Sequence, residues 1–115
     1  MSLINWSRIE SLIDGDTEED LQWMRDMIQT LVSNMDTRLE NILKSSNSKD
    51  WTALKSELHQ MKGVAANFGL TTLTEKVVSA ENLLKHDKGS EAIPLCSELP
   101  ALWTDTLKEL KTRFS

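Results

Sequence analysis

The chain has 115 residues, of which 39% are hydrophobic and 27% charged, a composition that fits a globular protein and excludes a disordered one. Its 18 acidic and 13 basic residues give a net charge of −5, and no run of Lys or Arg is interleaved with aromatic residues, so we expect neither nucleic acid nor an anionic membrane as a partner. The single cysteine, Cys96, excludes an intrachain disulfide and favours a reducing compartment, the cytoplasm. No segment approaches the ~20 apolar residues of a membrane span. Because 115 residues are the length of one domain, we expect a single domain over residues 1–115.

The first predicted element is a short amphipathic helix. The chain has only 2 Pro and 4 Gly, and its long segments are rich in Leu, Glu, Lys, Met and Ala, so helix is favoured throughout. Gly15 should end this first helix, which we expect to cover one end of a larger bundle. Its apolar positions are Leu3, Ile4, Trp6, Ile9, Leu12 and Ile13.

The second predicted element is a long helix that follows the acidic run from Asp16 to Asp20. Thr17 can cap the helix, and the acidic side chains complement the positive end of the helix dipole. The sequence 45–48, Ser-Ser-Asn-Ser, should end it. Apolar residues repeat at intervals of three and four along the segment: Leu21, Met24, Ile28, Leu31, Met35, Leu39 and Ile42.

The third predicted helix carries the most informative residues of the chain. Asp50 is its expected cap, it should run from about Trp51 to about Phe68, and Gly69 should stop it. One face is a regular apolar stripe that predicts burial against a core. The stripe consists of Leu54, Leu58, Met61, Ala65 and Phe68.

The fourth helix should begin at Thr72, because Thr72 and Glu75 have the spacing of a capping box. Its apolar stripe is Leu73, Val77, Ala80 and Leu84, and residues 87–89, Asp-Lys-Gly, should end it. The last helix should begin at Ser90 or Glu91. Its apolar face is Leu102, Trp103, Leu107, Leu110 and Phe114.

Two prolines fall within this last segment. Pro94 is tolerable near a helix start, whereas Pro100 should kink or restart the helix, because proline lacks the N–H that a helix interior requires. Four long amphipathic segments joined by short polar loops predict an all-α fold: an antiparallel up-and-down four-helix bundle with an additional short N-terminal helix. Since the apolar stripes can satisfy one another within the bundle, we expect a monomer.

His59 lies off the apolar stripe of the third helix. On its own face are Lys62 at i+3, Gly63 at i+4 and Ala66 at i+7, so the imidazole has a cation beside it and little side-chain bulk beyond. A glycine inside a helix costs roughly 1 kcal/mol relative to alanine. Close approach of another molecule to His59 is the simplest explanation for Gly63.

Most histidines on a helix surface have no chemical role, and His86, near a helix C-terminus, illustrates that case. For His59 a metal site is a poor explanation, because no His or Cys lies one helical turn away. The sequence also lacks a nucleophile-elbow motif and a Gly-rich phosphate loop. What remains is the histidine as nucleophile: much of an exposed imidazole is neutral at cellular pH and can attack phosphorus, with Lys62 offsetting phosphoryl charge.

The segment His59-Gln60-Met61-Lys62-Gly63, followed by small residues, by Gly69 and by the helix containing Leu73, resembles the signature of histidine-containing phosphotransfer (HPt) domains of bacterial phosphorelays. The resemblance extends over nearly the whole chain. It implies that His59 is phosphorylated, that Lys62 stabilises the phosphoryl group, that Gly63 gives steric access to a receiver domain, and that Gly69 is structural.

The resemblance also implies a reversible transfer from an aspartate of one receiver domain to His59 and then to an aspartate of another. The partners would be response-regulator receiver domains, and a hybrid sensor histidine kinase is a further candidate. Mg²⁺ belongs to the receiver in such exchanges, so no metal or other cofactor is expected on this chain. The domain would be a phosphotransfer intermediate and not an enzyme with ATP-dependent kinase activity.

Two other classes of function remain. A helical interaction module would bind a partner through the same surface without phosphorylation, and it would keep its function after His59→Gln. A true kinase or phosphatase is a weaker alternative, because the sequence has no recognisable nucleotide or metal site.

Overall fold

The computed structural model describes residues 2–13, 15 and 17–114, and this part of the chain forms five α-helices and no strand. Asp16, part of the predicted acidic start signal, lies outside the described residues. The predicted all-α class is confirmed. The helices are α1 (Trp6–Ser11), α2 (Glu18–Ser48), α3 (Trp51–Asn67), α4 (Thr71–Lys85) and α5 (Gly89–Phe114).

The four long helices form an antiparallel bundle in which α2 and α4 each pack against both α3 and α5. Only residues 49–50, 68–70 and 86–88 connect them, and connections this short place successive helices side by side in opposite directions. The long axis of the molecule, 48 Å, is close to the ~46 Å expected for the 31 residues of α2 at 1.5 Å per residue. The predicted bundle with an extra N-terminal helix is confirmed.

One hydrophobic core fills the bundle, and the predicted stripes supply most of it. In α5 the stripe differs from the prediction, because Leu102 and Leu107 are only half-buried while Thr106 is fully buried. The Thr106 hydroxyl donates to the Leu102 carbonyl oxygen at 2.7 Å, which satisfies the polar group within the helix. The buried residues of α5 are Gly89, Ala92, Cys96, Leu99, Trp103, Thr106, Leu110 and Phe114.

Two predicted N-caps are confirmed. The Thr17 hydroxyl accepts a hydrogen bond from the Asp20 N–H, and the Asp50 carboxylate accepts one from the Ala53 N–H, each at 3.2 Å. Each cap satisfies a backbone donor that the first turn of a helix leaves without an internal partner. The starts of α2 and α3 were therefore readable from the sequence.

Helix α2 ends within the predicted segment 45–48, at its last residue. The helix continues through Ser48 and stops at Lys49, which has a left-handed backbone with φ of 57°. Ser46 is buried, and the Asp50 N–H donates to the Ser45 carbonyl oxygen at 3.0 Å. Packing and this backbone bond override the weak helix preference of serine.

The predicted capping box of α4 is wrong. The helix begins at Thr71 rather than Thr72, and its N-cap is the buried Leu70, which offers no side-chain hydrogen bond. The Thr72 N–H instead donates to the Leu3 carbonyl oxygen at 3.4 Å. A backbone group from the N-terminal segment thus replaces the expected side-chain cap.

Helix α5 begins at Gly89, one residue before the earlier predicted start, and does not restart at Pro100. Pro100 cannot donate a hydrogen bond to the carbonyl of Cys96, but the buried Leu99 and Trp103 on either side hold the helix in the core. Burial also raises the pKa of the Cys96 thiol to about 11, so this cysteine serves as a small apolar core residue.

Helix α1 lies across the turn between α3 and α4, as predicted for a helix that covers one end of the bundle. The Asn5 N–H donates to the Gly69 carbonyl oxygen at 2.7 Å, and the Arg8 guanidinium donates to the carbonyl and side-chain oxygens of Asn67, each at 2.8 Å. Ile9 is fully buried. Gly69 has φ of 70°, and a Cβ there would lie 2.8 Å from Arg8 Cβ, so glycine is required at this turn.

Glu109 fastens the N-terminal segment to α5. Its carboxylate accepts hydrogen bonds from the Leu3 N–H at 2.9 Å and from the Trp6 indole N–H at 3.0 Å. Desolvation works against ionisation, but hydrogen bonds from Ser2, Leu3 and Trp6 outweigh it and lower the pKa of the Glu109 carboxyl below its ordinary value of 4.5. The charged form of Glu109 is therefore part of the docking of α1.

Candidate functional site

His59 stands on the outer face of α3, with 70% of its side-chain surface exposed. Its neighbour Leu58 is fully buried in the core. Successive residues of a helix point about 100° apart, so the packing that buries Leu58 also fixes the direction in which His59 projects. The core thus supplies a rigid base for an exposed imidazole.

The carboxylate of Glu81, on α4, lies at the centre of the polar groups beside His59. His59 Nδ1 is 3.6 Å from Glu81 Oε2. Glu81 Oε1 accepts a hydrogen bond from Lys62 Nζ at 3.0 Å and forms an ion pair with Lys85 Nζ at 3.1 Å. Residues from two adjacent helices thus meet at one carboxylate.

Glu81 is an almost completely buried charge, since only 3% of its side-chain surface is exposed. Desolvation opposes ionisation, but hydrogen bonds and positive charge from Lys62 and Lys85 outweigh it and hold the pKa of the carboxyl below 4.5. Its Oε2 atom is buried and has no hydrogen-bond partner in the described part of the chain. The remaining acceptor capacity of the carboxylate is therefore directed toward the ring of His59.

Gly63 lies exposed one turn beyond His59, and a Cβ built on it meets nothing within 4 Å. The contrast with Gly89 is clear, because a Cβ on Gly89 would lie 2.6 Å from the ring of Trp51. Packing within the chain therefore requires a glycine at 89 but not at 63. The internal structure gives no reason for the helix-weakening residue beside His59.

An open pocket lies against one side of His59, and it is lined by polar and charged residues whose apolar atoms provide most of its surface. Lys55 and Lys85 provide positive charge in this pocket, and Lys62 provides it beside Glu81. A neutral imidazole with lysines around it can attack an electrophile that carries negative charge, such as a phosphoryl group. The residues lining the pocket are Thr52, Lys55, Ser56, His59, Gln60, Glu81 and Lys85.

The family model of the Hpt domain matches residues 26–113, which include the three predicted site residues and most of the bundle. The chain belongs to the Hpt domain family. Hpt domains are carriers in histidine phosphotransfer within phosphorelays, and they interact with receiver domains of response regulators. Comparison with curated proteins and with solved structures gives no match.

Sequence reasoning singled out three of the residues that the structure brings together in this Hpt domain and did not single out two others. His59, Lys62 and Gly63 lie together on one face of α3, as predicted. Glu81 and Lys85 were missed, although a signal existed: Glu81 falls within the stripe of α4, where the neighbouring positions of its face are apolar and buried. A charged residue at a buried position of an amphipathic helix requires a partner, and Lys85 one turn later is such a partner.

Within the described part of this Hpt domain, no group of three or more His, Cys, Asp or Glu residues is arranged to hold a metal ion. None of the described helices is long and apolar enough to cross a membrane. His86 does not line the pocket beside His59; it caps the C-terminal end of α4, where its Nδ1 is 2.8 Å from the Asn82 carbonyl oxygen. It has the local backbone contact expected of a surface histidine.

Proposed function

We propose that this Hpt domain accepts a phosphoryl group on His59 from an aspartate of one receiver domain and passes it to an aspartate of another. One observation carries the assignment to His59: an exposed imidazole whose Nδ1 lies 3.6 Å from a buried carboxylate that two lysines neutralise. His86 has no comparable surroundings, because its ring contacts the backbone of its own helix.

The chemistry begins with His59 in its neutral form, with the proton on Nδ1 and the lone pair on Nε2. Nε2 attacks the phosphorus of the aspartyl phosphate, an N–P bond forms, and the P–O bond to the aspartate breaks with its electrons retained by the carboxylate. The ring then carries a positive charge, which the Glu81 carboxylate beside Nδ1 stabilises. The reverse sequence transfers the group to the second receiver.

Lys62 and Gly63 have separate roles in this proposal. The Lys62 ammonium, on a side chain that is 31% exposed, offsets the negative charge of the phosphoryl oxygens. Because Gly63 has no side chain, nothing projects from this position beside His59, and the receiver's aspartate can come within bonding distance. The open space around a Cβ built on Gly63 supports this role, because it leaves an external partner as the reason for the glycine.

The partners we propose are receiver domains of response regulators, with a hybrid sensor histidine kinase as a candidate donor. Mg²⁺ would be bound by the receiver, and this chain would have no cofactor and no ATP-dependent kinase activity of its own. We further propose that the domain acts as a monomer in the cytoplasm, where a single unpaired and buried thiol such as Cys96 is expected to persist.

The test is to incubate the chain with receiver domains that have been phosphorylated with acetyl phosphate, and to follow phosphoryl gain by mass spectrometry. We expect an acid-labile, base-stable phosphoryl group that maps to His59. His59→Gln should abolish it while leaving the helical circular dichroism unchanged, because the side chain lies outside the core. His86→Gln is the matched control and should accept phosphate normally.

Normal acceptance by the His59→Gln variant would refute the proposal. So would the absence of transfer from every receiver tested to a correctly folded wild-type chain. If a receiver bound equally well to wild type and to His59→Gln without any transfer, the chain would instead be a phosphorylation-independent interaction module.

A further inference from the structure

The proposed role of Lys62 requires its ammonium to leave the Glu81 carboxylate. In the structure the Lys62 ammonium is bound to Glu81 Oε1 at 3.0 Å, so it is already engaged before any phosphoryl group arrives. If Lys62 leaves to meet the phosphoryl oxygens, a carboxylate that is only 3% exposed loses a partner. Removing one partner of a buried ion pair is costly, because the remaining charge is neither solvated nor paired.

Lys85 is a second cation at the Glu81 carboxylate. Its ammonium lies 3.1 Å from the same Oε1 atom, and it sits four residues after Glu81 on α4, so the helix itself keeps the two side chains adjacent. Lys62 approaches from α3, the helix that carries His59. The two lysines are therefore equivalent in charge but not in position, since only Lys62 shares a helix face with His59.

We infer that Lys85 is a positioning residue which holds Glu81 when Lys62 moves from that carboxylate to the phosphoryl group on His59. The inference rests on the proposed function and adds a second cation to it. Lys85 acts through Glu81 and need not touch the phosphoryl group. Without Lys85, the move of Lys62 to the phosphoryl group leaves Glu81 Oε1 with no cation, so the move costs more and loading slows.

A partner-independent assay can test this exchange. Phosphoramidate donates a phosphoryl group to imidazole, so the chain can be loaded on His59 without a receiver, in a His86→Gln background that removes the second histidine. We expect Lys85→Met to lower the loading rate at His59 roughly tenfold, because Lys62 is then less free to stabilise the charge of the phosphoryl group in the transition state. Lys55→Met is the comparison variant, because it removes positive charge from the same pocket but leaves Glu81 paired with both Lys62 and Lys85, so it should lower the loading rate less than Lys85→Met does.

A double-mutant cycle separates positioning from direct contact. In the Glu81→Gln background no buried carboxylate holds Lys62, so adding Lys85→Met should change the loading rate by less than about twofold. A full tenfold effect in that background would mean that Lys85 binds the phosphoryl group itself, and the inference would be wrong. An equal loss from Lys55→Met would also overturn it, since the effect would then be one of general positive charge.

A second measurement does not depend on the folding of the Glu81→Gln variant. In the Lys85→Met chain, phosphorylation should draw Lys62 away and leave Glu81 unpaired, so the Tm should fall by several degrees on loading. Loading of the chain that retains Lys85 should not lower the Tm. An unchanged Tm in the loaded Lys85→Met chain would contradict the exchange. A wild-type chain that is loaded at His59 by phosphoramidate but accepts no phosphoryl group from any phosphorylated receiver would instead refute the proposed function.

Discussion

The two faces of α3 differ in what their residues do for the molecule. The inner face, with Leu58 and Met61, is fully buried and holds the bundle together, whereas the outer face, with His59 and Gly63, makes little contact with the rest of the chain. Residues of one helix can thus serve packing on its inner face and remain available for chemistry on its outer face. Substitutions on the inner face should therefore change stability, and substitutions on the outer face should change transfer.

Truncation of the inner face should have the largest effect on stability. Leu58→Ala removes a fully buried side chain and leaves a cavity, so we expect the free energy of unfolding to fall by roughly 2–5 kcal/mol. Urea denaturation followed by circular dichroism measures the change. The neighbouring exposed substitution, His59→Ala, is the matched control and should alter the same quantity by less than about 0.5 kcal/mol. Similar losses from both would contradict the separation of the two faces.

Gly63 should show the opposite pattern. Gly63→Gln places a long side chain where a receiver would approach, so we expect the rate of transfer from a phosphorylated receiver to fall roughly tenfold or more. Stability should rise by roughly 0.5–1 kcal/mol, because a built Cβ meets nothing and glycine is a poor helix former.

The control for Gly63→Gln is Ala101→Gln, which adds the same side chain at an exposed position of α5. It should leave transfer unchanged. If the Gly63→Gln chain transferred at the wild-type rate, close approach would not be the reason for this glycine. A loss of stability in that variant would show that Gly63 serves packing after all.

The smallest effect concerns the acid dependence of stability. Because the pKa of Glu81 is below 4.5 in the folded chain, its carboxylate stabilises the fold above about pH 4.5, and the contribution disappears as the pH falls through the folded-state pKa. The difference in unfolding free energy between wild type and Glu81→Gln should thus be greatest above pH 5 and shrink toward pH 3. Glu109, whose pKa is also lowered, is present in both chains and cancels. A difference independent of pH would contradict this role of the charge.

The helices and most of the core could be predicted because each depends on a pattern within one segment. A stripe with a period near 3.6 identifies a buried face without reference to the rest of the chain. The errors fall where the deciding partner is distant in sequence. The start of α4 depends on the carbonyl of Leu3, and Pro100 is tolerated because of the core around Leu99 and Trp103.

The same distinction explains which site residues were predicted. His59, Lys62 and Gly63 share one face of one helix, so their spacing alone brings them together. Glu81 and Lys85 join them only because α4 packs beside α3 in a particular register, which local spacing does not specify. Glu81 was nevertheless marked by its own position, as a carboxylate among the buried residues of an apolar stripe.

The group around Glu81 also sets the charge of the site before and after loading. Two lysines and one carboxylate leave one net positive charge beside the neutral imidazole. A phosphoryl group carries about −2, and in the transfer proposed above the ring of His59 gains one positive charge, so the loaded site would be close to neutral. Loading thus removes the excess positive charge of the empty site without building up a negative one. A change this small suits a carrier that must release its cargo as readily as it receives it.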